Sequence, residues 1–170
     1  MELCNEIVIR GLLERHGFRF SRSMGQNFLI DPSIPAAIAE ASGADEGCGV
    51  LEIGPGIGPL TAELAKRAGK VVSIELDRAL LPVLAETVGD LPNVEIVPGD
   101  ALRLDLEGLI AEKFQGLTPM VCANLPYNIT TPVLTKLAGI PSLTALTVLI
   151  QKEAAQRFTA PQGSPEIGAF

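Results

Sequence analysis

Short apolar runs alternate with segments of helical spacing along most of the chain. Five runs predict buried strands, at residues 49–54, 70–76, 93–100, 119–126 and 143–153. The segments between them predict helices over 59–69, 78–89, 106–114 and 131–140, the second one bent or started near Pro82. Strands that alternate with helices indicate right-handed βαβ units. The pattern therefore predicts an α/β fold with a mostly parallel, doubly wound sheet covered on both faces.

Two further helices are predicted before the first strand. Apolar residues at helical spacing extend over 2–16, and Gly17 then interrupts the pattern. Asp31 suits a helix cap and Pro32 suits the first helical position, so we expect a second helix from there to about Gly43.

The composition limits the classes of function. Thirteen Lys and Arg against twenty Asp and Glu give a net charge of -7, which argues against a protein that simply coats nucleic acid but allows a local basic patch. Cys4, Cys48 and Cys122 are far apart and His16 is the single histidine, so we expect reduced thiols, Cys122 in the core and no metal site. The start carries two acids and no basic signal region, and no apolar stretch approaches about 18 residues. We expect a soluble, cytoplasmic protein.

Polar and glycine-rich groups follow four of the predicted strands, where ligands of such sheets bind. Gly54, Gly56 and Gly58 follow the first strand in G-x-G-x-G spacing, which differs from the G-x-G-x-x-G of dinucleotide enzymes. Glycines let the backbone approach a ligand closely. A tight strand-to-helix turn is the alternative explanation for the loop alone.

Two acids at the next strand ends point to a nucleoside ligand. Glu75 lies about twenty residues beyond the glycine loop, where an acid accepts hydrogen bonds from ribose hydroxyls. Asp100, followed by Ala101 in the same predicted pocket, can accept from an amino group of a base. The alternatives are a solvated acid at a strand end and a turn-forming Asp. Together with the glycine spacing, the acids favour S-adenosylmethionine, a sulfonium cation, over NAD.

The segment Asn124-Leu125-Pro126-Tyr127 suits an exocyclic amine as methyl acceptor. The Asn124 side-chain carbonyl and the Leu125 backbone carbonyl can accept from both amine hydrogens and leave the nitrogen lone pair free. Pro126 fixes the turn and removes a competing N–H donor, and Tyr127 offers a ring on which a flipped-out base can stack. The alternative is a helix start in which Asn128 or Thr130 is the cap and Tyr127 is core.

Six motifs in order carry a family resemblance. "GQNFLID", "LEIGPGIGPLT", "IELD", "GDAL", "NLPYNIT" and "QKEAAQRF" together resemble the ribosomal RNA adenine dimethyltransferases that act on small-subunit RNA, from about Phe18 onward. The macrolide-resistance methyltransferases of large-subunit RNA are close relatives, but "GQNFL" and "NLPY" look more like the small-subunit branch.

The resemblance implies transfer of two methyl groups from S-adenosylmethionine to each of two adjacent adenines in a terminal hairpin loop of small-subunit ribosomal RNA, as part of ribosome biogenesis. It implies that the target base is held by the segment 124–127 and that Gln26 helps to close a lid over the cofactor. Cofactor contacts are implied for Asn27, Leu29, Gly54, Glu75, Asp100 and Asn124, and we assign Gly56 and Ala101 to the same pocket.

The family pattern continues beyond what this chain contains. Family members add two more strands, a small helical RNA-binding domain and a second aromatic near the target base. Residues 154–170 show no evident closing element, so the fifth strand is left as an apolar edge, which proteins usually cover. We expect residues 1–170 to be a Rossmann-like S-adenosylmethionine-binding methyltransferase domain, incomplete at its carboxyl end, without the RNA-binding domain.

Basic residues suggest where RNA phosphates bind. Arg15, Arg19 and Arg22 are interleaved with phenylalanines and have no acid among them, and Arg157 follows the "QKE" segment. Such residues suit phosphate contacts, and an ordinary solvated loop is the alternative.

Two other functions stay open from the sequence. An Asn-Pro-Tyr-type site also serves a glutamine side-chain amide or a DNA base as acceptor, although the "GQNFL" segment argues against this. The fold also suits a non-catalytic ribosome-assembly module that binds cofactor or partner without turnover.

Overall fold

Five parallel strands form one sheet within the part of the chain that the structure describes. The structure, a computed structural model, describes residues 2–18, 31–125 and 128–159. Its strands are β1 (Cys48–Ile53), β2 (Lys70–Glu75), β3 (Val94–Pro98), β4 (Thr118–Asn124) and β5 (Ala145–Leu149). The strand order is β3-β2-β1-β4-β5, and every neighbouring pair is parallel. The predicted α/β class and parallel sheet are confirmed.

Helices connect the strands and precede the sheet. They are α1 (Glu6–Arg15), α2 (Ser33–Ala41), α3 (Pro59–Ala65), α4 (Leu81–Thr87), α5 (Leu106–Lys113), α6 (Thr130–Ala138) and α7 (Lys152–Thr159). A 3₁₀ turn over Arg78–Leu80 leads into α4, whose first turn contains Pro82, as predicted. The Asp31 carboxylate accepts from the Ser33 N–H at 2.9 Å, and α2 begins at Ser33, one residue after the predicted start.

Alternate residues of each strand face opposite helical layers. Leu51 and Ile74 share one apolar cluster with α5 and α6, whereas Val50 and Val71 share another with α2 and α3. This alternation is the period of a β-strand, and it places a helical layer on each face, which confirms the doubly wound arrangement. Cys122 is fully buried in the second cluster, and burial raises the pKa of its thiol to about 12.

The amino-terminal helix packs beside the sheet against α4. Leu12 and Leu13 of α1 belong to a third buried cluster with Leu80 and Val83. The Glu86 carboxylate accepts from Arg15 Nη2 at 2.5 Å and contacts His16 Nε2 at 2.6 Å, which ties the end of α1 to α4. Arg15, one of the basic residues noted in the sequence, is thus paired within the protein.

The predicted fifth strand is too long. It ends at Leu149 instead of residue 153, and Lys152 begins α7, which also includes part of the tail for which no element was predicted. The physical reason is the length of the neighbouring strand β4. Asn124, the last residue of β4, pairs with Leu149, so β4 offers no backbone partner to the residues after Leu149. The predicted helices over 59–69 and 131–140 likewise end early, at Ala65 and Ala138.

Strand order reverses beside β1. The chain runs outward from β1 to β2 and β3, and then returns to the other side of β1 with β4 and β5. Connections on the two sides diverge at this point and leave a crevice at the carboxyl ends of the strands, where ligands of open α/β sheets bind.

Candidate functional site

A cleft of about 380 Å³ lies at the carboxyl ends of β1, β2, β3 and β4. Its lining includes every predicted cofactor or base-binding residue whose structure is described: Gly54, Gly56, Glu75, Asp100, Ala101, Asn124 and Leu125. The four strand ends therefore converge as the sequence predicted, although the chemical roles of these residues stay predictions.

The glycine loop turns sharply from β1 into α3. Gly56 has φ 62° and Gly58 has φ 92°, a left-handed conformation that favours glycine. A Cβ built on Gly58 would lie 2.8 Å from Val88 Cγ1, so this residue also permits close packing on the segment after α4. Gly54 and Gly56 consequently present backbone along one wall of the cleft.

Glu75 joins the glycine loop to the end of β2. Its side chain is buried, and its two oxygens accept from the Gly56 N–H at 3.3 Å and from the Asp77 N–H at 2.8 Å. Burial raises the pKa of this carboxyl, and the hydrogen bonds from Asp77 and Gly56 oppose that effect. The two carboxylate oxygens have four lone pairs between them, so the side chain retains capacity for a ligand hydroxyl.

Asp100 lies two residues beyond β3, on a turn that lines the cleft. Its Oδ1 accepts from the Leu102 N–H at 2.9 Å, and its Oδ2 is 3.5 Å from Arg103 Nε. The turn hydrogen bond is the one expected from the alternative explanation, a turn-forming Asp. The carboxylate is only partly buried, and both its position in the lining and its remaining lone pairs suit a second acceptor role.

Asn124 and Leu125 bring the end of β4 to the same cleft. The Leu125 N–H donates to the Leu149 carbonyl at 3.1 Å, which extends the pairing of β4 with β5 and fixes the backbone at this point. The N-cap residue of α6 is Ile129, so the alternative in which Asn128 or Thr130 is the cap is wrong. Asn128 lines the cleft instead.

Glu52 is a cleft residue that the sequence analysis missed. It is buried on β1, and its Oε2 accepts from Thr61 Oγ1 and from Ser73 Oγ, each at 2.6 Å. Burial raises the pKa of Glu52 to about 7; the hydroxyl donors oppose that effect, while the nearby Glu75 adds to it. The signal in the sequence is a single acid inside an otherwise apolar strand.

Two exposed leucines were missed as well. Leu76 follows β2 and is 66% exposed, and Leu102 lies two residues after Asp100 and is 37% exposed. Both line the cleft beside carboxylates. Their exposed side chains give the cleft apolar surface next to its acids, and hydrophobic residues one or two positions after the strand-end acids were the available signal.

The remaining predicted site residues lie outside the described ranges. These are Gln26, Asn27, Leu29, Pro126, Tyr127, Arg19 and Arg22, together with the side chain of Arg157. Within the described ranges no group of three His, Cys, Asp or Glu could hold a metal ion. No helix among the same residues is long and apolar enough to cross a membrane.

Sequence comparison identifies the family. The model of the family described as "Ribosomal RNA adenine dimethylase" matches residues 17–169. The chain belongs to this family. The resemblance drawn from the six motifs is thus confirmed, and the cleft is that of a ribosomal RNA adenine dimethylase family member.

Curated relatives of this family member carry the name "Ribosomal RNA small subunit methyltransferase A". The protein from Shouchella clausii is 51% identical over 94% of the chain, and the one from Alkaliphilus oremlandii is 46% identical over 94%. The chain covers 54% and 56% of these proteins, so it spans about half the length of the curated relatives it matches.

Solved structures that are similar to this chain share the fold. The crystal structure of 23S rRNA methyltransferase ErmE matches 77% of this chain and 50% of its own, with 33% identity and a TM-score of 0.66. A dimethyladenosine transferase from Plasmodium falciparum matches 81% of this chain and 48% of its own, with 30% identity and a TM-score of 0.63.

Proposed function

We propose that this chain forms the donor- and base-binding part of an enzyme that transfers methyl groups from S-adenosylmethionine to the amino nitrogens of two adjacent adenines in small-subunit ribosomal RNA, giving dimethyladenosine. One observation carries the proposal: Glu75, Asp100 and Asn124 come from three different strand ends and line a single cleft. That arrangement suits a nucleoside donor next to an amine acceptor, which is the chemistry that the family name describes.

The cleft suits S-adenosylmethionine in shape and charge. The free lone pairs of Glu75 suit the ribose hydroxyls, and the carboxylate of Asp100 suits the amino group of an adenine. Leu76 and Leu102 offer apolar surface to the faces of the purine. Among the described residues of the lining, the acids Glu75, Asp77 and Asp100 outnumber the one arginine, Arg78, and this balance favours a sulfonium cation over a pyrophosphate.

The residues at the end of β4 and directly after it suit the acceptor. S-adenosylmethionine supplies a methyl group already activated by its sulfonium, so the protein needs no covalent nucleophile. Asn124 Oδ1 and the Leu125 carbonyl accept from the two hydrogens of the adenine amine, which favours a pyramidal nitrogen with its lone pair free. The ring of Tyr127 stacks on the extruded base and contributes roughly 1–3 kcal/mol.

Sequence identity supports the small-subunit branch of the family. The curated small-subunit methyltransferases are 51% and 46% identical to this chain, whereas ErmE, named as a 23S rRNA methyltransferase, is 33% identical. We therefore propose immature small ribosomal subunits as the partner and the cytoplasm as the place of action.

The test is labelled methyl transfer by the full-length protein to purified small and large ribosomal subunits. We expect label in the small subunit, at least a hundredfold loss in Asn124→Ala, and a loss of roughly 5- to 160-fold in Tyr127→Ala, which is the equivalent of 1–3 kcal/mol of stacking. Gln115→Ala, which removes an exposed amide remote from the cleft, is the matched control and keeps wild-type activity.

Each other outcome contradicts a defined part of the proposal. Label confined to large subunits would assign the protein to the macrolide-resistance type. Labelling of DNA or of a protein amide in preference to RNA would change the acceptor class. Donor binding without turnover on any acceptor would make the protein a non-catalytic assembly module.

A further inference from the structure

Lys136 makes an unusual set of hydrogen bonds beside the cleft. Its Nζ donates to three backbone carbonyls of one short segment: Ala101 at 2.9 Å, Leu102 at 2.9 Å and Leu104 at 2.6 Å. An ammonium group has three donors, so its donor capacity is fully used. Within residues 2–18, 31–125 and 128–159 no carboxylate forms an ion pair with it.

The segment that Lys136 binds carries part of the lining of the cleft. The Asp100 carbonyl accepts from the N–H groups of Arg103 and Leu104, both at 2.9 Å, which winds the segment into a tight turn. Carbonyls at the end of such a turn lack partners within the turn, as at a helix C-terminus. The ammonium group supplies those partners, and lysine is suited to this role.

Lys136 also connects the two sides of the cleft. It lies in the last turn of α6, and Val133, one turn earlier on the same helix face, lines the cleft. The helix is anchored by Leu137, which is buried in the core under the sheet. Lys136 therefore fixes the segment after β3, on the donor side, to the helix that follows Asn124, on the acceptor side.

We propose that Lys136 is a positioning residue that holds the segment 100–104 in the conformation that binds the adenosine half of S-adenosylmethionine. The inference rests on the proposed function of the cleft. Lys136 touches neither donor nor acceptor in this scheme; it acts through the backbone that places Asp100 and Leu102. Without the ammonium group the three carbonyls are left to solvent, and the segment samples conformations in which Asp100 and Leu102 are displaced.

The decisive variant is Lys136→Met in the full-length protein, which keeps most of the aliphatic stem and removes the donors. We expect the Kd for S-adenosylhomocysteine, measured by titration calorimetry, to rise about tenfold, as for loss of hydrogen bonds from a charged group. Adenosine alone should lose affinity by the same factor. Lys66→Met, which removes an exposed lysine at the C-cap of α3 paired with Glu63, is the matched control and should bind as the wild type does.

Steady-state kinetics separate positioning from general stability. In Lys136→Met the KM for the donor should rise about tenfold while kcat at saturating donor stays within about twofold, since only the donor side is disturbed. A lower kcat with unchanged KM would mean that the variant only reduces the folded fraction, and would overturn the inference.

A second variant keeps the inference falsifiable if Lys136→Met does not fold. Lys136→Arg retains charge and stem, but the planar guanidinium cannot direct three donors at converging carbonyls as an ammonium does. We expect a Kd between those of the wild type and Lys136→Met, or above that of the wild type if the Met variant is unfolded. Wild-type affinity in Lys136→Arg would then overturn the inference. A wild-type protein that does not bind S-adenosylhomocysteine would instead overturn the proposed function, and the inference with it.

Discussion

The two ends of the sheet use polar residues in different ways. At the amino ends of the strands, polar side chains are paired with nearby backbone: Asp45 Oδ1 accepts from the Gly47 N–H at 2.8 Å, and Asn93 Nδ2 donates to the Ala65 and Ala68 carbonyls, each at 2.9 Å. At the carboxyl ends, Glu75 has unused lone pairs and Leu76 is exposed. The paired polar groups at the amino ends stabilise the fold, whereas the groups with unused hydrogen-bonding capacity at the carboxyl ends line the cleft.

Glycines show the same contrast. At the amino ends a Cβ on Gly69 would lie 2.3 Å from the Glu46 carbonyl oxygen, so this glycine lets two backbone segments pack together. At the carboxyl ends the N–H of Gly56, which has φ 62°, is aimed at Glu75. Substitutions at the two ends should therefore separate stability from ligand binding.

The largest expected effect is the pH dependence that the titration of Glu52 gives to the stability of the protein. Its pKa is about 7 in the folded protein, against about 4.3 when unfolded. The folded state therefore holds the proton more tightly, and stability falls as pH rises from about 4.5 to 7.5, by about 3 kcal/mol in total. The thermal midpoint of the wild type should fall from pH 5 to pH 8, and Glu52→Gln should remove that part of the slope.

Glu95→Gln is the control for this prediction. Glu95 lies on the edge strand β3, and its hydrogen bond from Lys113 helps to keep the pKa of its carboxyl low, so this variant should retain the fall with pH that comes from Glu52. An unchanged pH slope in Glu52→Gln would show that the buried acid is not the cause.

The next effect is on donor affinity at Glu75. Glu75→Gln should weaken binding of S-adenosylhomocysteine by about 2 kcal/mol, or roughly 30-fold, because hydrogen bonds to a charged acceptor are lost. The thermal midpoint should change little, since relief from the cost of burying the carboxyl offsets the loss of one acceptor for the backbone N–H groups of Gly56 and Asp77. Glu46→Gln, an exposed acid at the amino ends, should leave affinity unchanged; equal losses in both variants would contradict the division between the two ends.

Asn93→Ala should lower the stability of the protein without a change in donor affinity, the opposite of what we expect for Glu75→Gln. Loss of the donors to Ala65 and Ala68 leaves two carbonyls unpaired and should reduce the free energy of unfolding by about 1 to 2 kcal/mol, as measured by urea denaturation. Affinity for S-adenosylhomocysteine, measured below the unfolding transition, should equal that of the wild type. A loss of affinity without a loss of stability would contradict the assignment of Asn93 to the groups that stabilise the fold.

Leu76→Ala has the smallest expected effect. Removing apolar surface that the donor would cover should lower affinity by about 1 kcal/mol, roughly fivefold, with no change in the thermal midpoint because Leu76 is exposed in the free protein. Ile7→Ala is the matched control, since Ile7 is 82% exposed on α1 and does not line the cleft. The comparison fails if both variants bind the donor as well as the wild type.

The sequence predicted the sheet and most of the cleft because both depend on local patterns. Apolar runs specify strands of this kind, and the residues that follow them necessarily meet at one edge of a parallel sheet. Glu75, Asp100 and Asn124 were found in this way. The glycine spacing likewise gave the backbone turn that Gly56 and Gly58 adopt.

What the sequence could not give depends on distant partners. Lys136 has the spacing of an ordinary exposed lysine, and its role appears only when α6 packs beside a segment more than thirty residues earlier. The end of β5 at Leu149 is set by the length of β4, not by local preference. Glu52 was missed because a buried acid in a strand is recognised by its hydroxyl partners, Thr61 and Ser73, which lie on other elements, 9 and 21 residues later.

The central position of β1 has a consequence for how the protein folds. Gly49 pairs with Lys70, about twenty residues later in the chain, but its neighbour Cys48 pairs with Thr118, a partner about seventy residues later. Closing such a long loop makes assembly of parallel sheets slow. Until β4 pairs with it, one side of β1 is an unpaired, apolar edge of the kind that associates with other chains. We therefore expect the protein to aggregate at this stage when it is refolded at high concentration.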